Sequence, residues 1–310
     1  MTKERINAII SVTVILILIS FGTIISKMAL NDVHPLTLTW ITIGIGMICM
    51  ALYTFAIKKE KIPKMSRQIW LMIFIIGFFN FVVGKIAAMF ALNYLTATTN
   101  TYLTYFVGFI TMGLSIILLK ESPTIFQVFG ALVDLTGLRV FFVRIPVTSE
   151  ILGVVLVLIS ILGIAFTNNI TRKLSIITQN QVSNNIVSTL ALLIGGSITV
   201  IIGLTFDRPI ILTGWRNWGI ALYIGVISIA LGLTTWNSIL RVLRSYEASI
   251  LGASSVIWTA LLAIPLLGEH LSIHQMIGIG LMLIGLVLVQ VRGGRFSDLF
   301  RCFRNAKSRE

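Results

Sequence analysis

The chain has 310 residues, 56% of them hydrophobic and 11% charged, with a formal net charge of +13. Soluble domains carry roughly 25% charged residues, so a water-solvated globule of this size is excluded, and the mean hydropathy of +0.98 agrees. The positive charge does not indicate nucleic acid. The basic residues sit in short loops and a tail between apolar runs, and no aromatic-basic interleaving of the kind that grips single strands is present.

A helix needs about 20 apolar residues to cross the hydrocarbon. The runs predict an all-α membrane protein of ten transmembrane helices, near 7–27, 36–57, 68–90, 97–118, 124–143, 151–171, 184–205, 217–238, 247–267 and 272–291. The first run follows Lys3 and Arg5 as a signal peptide would. It is longer than a usual signal core and has no cleavage site after it, so it reads as a retained helix. Continuous Leu/Ile-rich runs exclude the ten-residue alternation of a barrel.

With the N-terminus inside, the basic residues of the tail and of the loops around Lys58–Arg67, Lys120, Arg172 and Arg241 all fall inside. That places eighteen of the twenty-four on one side and five (Lys27, Arg139, Arg144, Arg208 and Arg216) on the other. This bias predicts cytoplasmic N- and C-termini in a multi-pass protein of the cell membrane. Residues 292–310 form a basic tail. Phe296, Leu299, Phe300 and Phe303 stand there at helical spacing, which suits either an amphipathic segment on the inner leaflet or a disordered flank.

The sequence also repeats. With Glu121 set against Glu269, Ile125 meets Ile273, Gln127 meets Gln275, Gly130 meets Gly278 and Gly137 meets Gly285. Near the start of each half, Phe21, Ser26 and Lys27 correspond to Phe166, Thr171 and Arg172. The expected units are residues 1–146 and 147–291, each of five helices. Five is odd, so the copies face opposite ways, the inverted-repeat architecture of many secondary transporters.

Few residues in the spans carry chemistry. Lys85, in FVVGKIAAM, stands inside the third span, where insertion costs about 3 kcal/mol. It is either a fixed cation for an anionic group or a lysine snorkelling to the interface. Asp134 stands halfway along the fifth span, as a proton-coupling carboxylate or as half of an ion pair with Lys85 or Arg139. Thr98, Thr101, Tyr102 and Tyr105 share one face of the fourth span by spacing, and Asn80 stands one turn before Gly84. These residues, with Asn168 and Trp258, are the candidate lining of a substrate cavity. Packing and hydrogen bonding between helices is the alternative. Glu121 and Glu269 read as residues that favour the N-terminal dipole of the fifth and tenth helices.

Cys49 and Cys302 should lie at different depths, and no histidine–cysteine cluster supports a metal. No phosphate-binding loop is present. The sequence predicts no cofactor, no enzyme and no nucleic-acid partner. The expected partners are a small-molecule substrate and the lipid bilayer.

The segment SYEASILGASSVIWTALLAIPLLGEHLSIHQMIGIGLMLIGLVLV, residues 245–289, and its weaker first-half copy LKESPTIFQVFGALVDLTGL resemble the drug/metabolite transporter superfamily, in its ten-helix EamA-type branch. The resemblance implies ATP-independent transport of a small organic metabolite, with export of amino acids or related compounds as the leading expectation. A facilitative channel or a drug-type efflux carrier is the alternative. The polar Thr98–Tyr105 stretch and the Asp134 and Arg139 pair depart from the usual pattern.

Overall fold

A computed structural model describes residues 3–119, 125–142, 148–179, 181–208, 210, 212–239, 252 and 254–290. All its regular elements among those residues are helices. In hydrocarbon there is no water to satisfy a free backbone group, so a spanning chain must close its hydrogen bonds within the helix.

The helices are α1 (Lys3–Ala29), α2 (Pro35–Ala51), α3 (Arg67–Gly77), α4 (Lys85–Tyr94), α5 (Ala97–Thr104), α6 (Val107–Leu119), α7 (Ile125–Phe141), α8 (Thr148–Ile177), α9 (Asn184–Phe206), α10 (Trp215–Tyr223), α11 (Gly232–Ile239), α12 (Ser255–Leu267) and α13 (Ile273–Gln290). Wider π segments extend α2 over Leu52–Ile57, join α3 to α4 over Phe78–Gly84, and join α10 to α11 over Ile224–Leu231. Among the described residues, seven helical stretches are long and apolar enough to cross a membrane: Ile10–Ala29, Pro35–Ile57, Arg67–Tyr94, Ala97–Leu118, Glu150–Ile177, Asn184–Phe206 and Trp215–Trp236. The expected fifth, ninth and tenth spans fall on α7, α12 and α13, which are shorter in the described residues. The start of the ninth span and the basic tail lie outside the described residues.

Local signals set several ends. The Ser66 and Thr96 side chains accept from the Ile69 and Thr99 amides, and Pro35 opens α2. The expected fourth span is broken at Tyr105 and Phe106, between α5 and α6. Thr101 and Thr104 donate to the Ala97 and Asn100 carbonyls, which bends helices. The Phe106 amide then bonds three residues back, to Leu103.

The two parts of the chain interleave. One apolar cluster joins Ile43, Ile73 and Phe81 to Leu174, Leu190 and Leu192. A second joins Ile24, Leu38 and Leu92 to Ile220, Ile224 and Ala263. The π segment Phe78–Gly84 packs on α8 and α9, while the π segment Ile224–Leu231 packs on α1 and α2. These segments begin 146 residues apart. Helix α6 lies on α8 and α12 lies on α1, while α7 and α13 pack along each other. Glycines allow the closest crossings: a Cβ on Gly195 would overlap the backbone of Gly77.

Candidate transport site

Lys85 is the first residue of α4, directly after a π segment. Such interruptions gather at functional sites. Its amide donates to the Asn80 and Val82 carbonyls, and the Ser160 hydroxyl of α8 donates to the Gly84 carbonyl at 2.9 Å. The backbone under Lys85 is therefore fixed from two sides. The Lys85 side chain is exposed on this membrane-spanning stretch. Among the described residues it forms no ion pair. Asn80 is half-buried in the same π segment.

Asp134 is fully buried on α7, and neither carboxylate oxygen has a hydrogen-bond partner. It faces Gly285 of α13, where a Cβ would overlap Oδ1. Arg139 instead donates to the Phe142 carbonyl at 3.2 Å. The structure therefore brings Asp134 together with neither Lys85 nor Arg139.

The expected polar face of α5 divides. Tyr102 is wholly buried, stacked on Phe141 with centroids 4.0 Å apart, and its hydroxyl donates to the Gly278 carbonyl at 3.4 Å. It fills the seam with α7 and α13 rather than lining open space. Thr101 is half-buried and bonds back to Ala97, and Tyr105 is half-buried at the break. Thr98 is 1% exposed, with a hydroxyl that has no partner. Asn168 lies 3.4 Å from the Thr111 hydroxyl, and the half-buried Trp258 donates to Ser254 at 3.2 Å.

Glu269 departs from its expected role. Its carboxylate accepts from the Ala97 amide at 2.6 Å and the Thr98 amide at 3.2 Å, so it caps α5 rather than its own following helix, α13. Helix α12 ends at Gly268 in the left-handed region, with φ of 67°. The chain turns there, and Glu269 meets the free amides of α5. Lys27, near the end of α1, donates to the Leu92 and Asn93 carbonyls at 2.7 and 3.0 Å, capping α4. Glu121 lies outside the described residues. At the other helix hairpin, the Trp40 indole donates to Asp207 at 2.9 Å, tying α2 to the end of α9.

The long apolar helices mark a multi-pass membrane protein. The chain belongs to the EamA-like transporter family, which matches residues 6–143 and again 149–291. Members of that family are transporters, and nothing points to a catalytic family. The chain is 25% identical over 203 residues to a protein of Acidianus ambivalens named "Uncharacterized transporter in sor 3'region", covering 64% of this chain and 76% of that one. It also shares its fold with a protein of known crystal structure, at 16% identity and a TM-score of 0.67, over 91% of this chain and 95% of the other.

Proposed function

We propose that the protein is a secondary carrier that moves a small organic metabolite out of the cell by alternating access. The observation that carries this reading is Lys85: a cation within a membrane-spanning stretch, exposed and with no ion pair among the described residues. A charge kept there is expensive unless a ligand or cavity compensates it. An acidic group on the substrate does so, and amino acids or related compounds carry one. Asn80, Thr98, Thr101, Tyr105, Asn168 and Trp258 supply the polar and aromatic remainder of the site, and Tyr102 joins them when the α5 seam opens. Asp134 is the proton-coupling carboxylate.

The carrier has ten spans in two inverted repeats, residues 1–146 and 147–291, with both termini in the cytoplasm. Two observations support that arrangement. The π segments recur at corresponding places, and exchanging the halves turns the contacts of α6 with α8 and of each π segment into others that are present. Rocking of one repeat against the other then alternates the open side. In proteoliposomes, saturable counterflow of amino acids supports the reading. Ion currents far above carrier turnover contradict it.

A further inference from the structure

The α4–α5 hairpin is held at both of its helix ends by charges of the matching sign. The C-terminus of α4 has Lys27 Nζ on the Leu92 and Asn93 carbonyls, and the N-terminus of α5 has the Glu269 carboxylate on the Ala97 and Thr98 amides. A cation on carbonyls and an anion on amides both follow the helix dipole. Lys27 comes from the first half of the chain and Glu269 from the second, so the hairpin is clamped between them.

Beneath the clamp lies a closed polar seam. Thr98, Asn100 and Thr259 are buried, and each has a side-chain oxygen without a hydrogen-bond partner. Burying such an atom without a partner is costly, because it gives up its hydrogen bonds to water. In a permanently closed core they have no use, whereas in a path that opens to water they are lining.

We propose that Lys27 and Glu269 form the latch that closes the outer end of the transport path. The proposal rests on the alternating-access reading above. Opening the outer end requires the carboxylate to leave the α5 amides, which frees the hairpin and hydrates Thr98, Asn100 and Thr259. Loosening the latch shifts the carrier toward its outward-open state.

The test is thiol labelling of Thr98→Cys in full-length protein with Cys49→Ser and Cys302→Ser, in nanodiscs, using a water-soluble maleimide. Adding Glu269→Ala raises the labelling rate about tenfold, the scale of one lost charge-assisted cap. Glu269→Gln, which keeps shape but loses charge, gives a smaller rise and serves if the alanine variant does not fold. An unchanged rate in both Glu269 variants overturns the latch. Failure of the carrier reading shows separately, as absence of saturable flux by the unsubstituted protein whatever the labelling does.

Discussion

Asp134 and Gly285 face each other across the α7–α13 seam, and the missing side chain at 285 is the space that holds the carboxylate. Gly285→Ala forces the Asp134 side chain or the helix to shift. Overpacking of this kind costs about 1–3 kcal/mol. The midpoint of thermal unfolding in detergent should fall, and Asp134→Ala in the same chain should recover part of the loss.

Asp134→Asn keeps the volume of the side chain but removes its ability to exchange a proton. If Asp134 couples transport, flux driven by an imposed proton gradient falls to the level seen without the gradient, while solute exchange at equal concentrations persists. A purely structural Asp134 predicts unchanged gradient dependence.

The crossing of α3 and α9 at Gly77 and Gly195 brings backbone onto backbone. Gly195→Val cannot be absorbed by a side-chain rotation, because the atoms it meets belong to Gly77 itself. Folded yield from membranes should drop severely. Gly219→Val, at a position with open space around it, should leave yield unchanged.

Trp40 and Asp207 join α2 to α9 through one indole–carboxylate hydrogen bond. Asp207→Ala leaves the indole N–H without its acceptor, at a cost of about 1–3 kcal/mol. Thermal unfolding of the purified protein checks it, with Asp207→Asn expected to lose less because its amide oxygen still accepts.

Hydropathy located the seven stretches that are long and apolar enough to span among the described residues, because lipid demands long apolar runs and few other solutions exist. It did not show the break at Tyr105 and Phe106, since that depends on threonine hydroxyls turning back on the backbone. The i, i+3, i+4, i+7 spacing put Thr98, Thr101, Tyr102 and Tyr105 on one face of a straight helix. It could not reveal that Phe141 and Gly278 cover Tyr102. The recurrence of Glu121 and Glu269 was visible, as was that of Lys27 and Arg172. Their partners were not, because a side chain at a turn can cap its own helix or a neighbour's, and only the fold brings α5 to Glu269. Lys85 and Asp134 stood out as charges within apolar runs, but whether they meet is a matter of helix packing.

The most direct measurement is amino-acid counterflow into proteoliposomes holding either the unsubstituted protein or Lys85→Met. The methionine keeps the length and apolar stem of the side chain and removes its charge. The unsubstituted protein should show saturable counterflow, and Lys85→Met should lose at least about tenfold in apparent affinity, the scale of one lost charge-assisted contact to the substrate. Equal affinity in the two proteins, or the same loss for an uncharged solute, would contradict a substrate site built on Lys85.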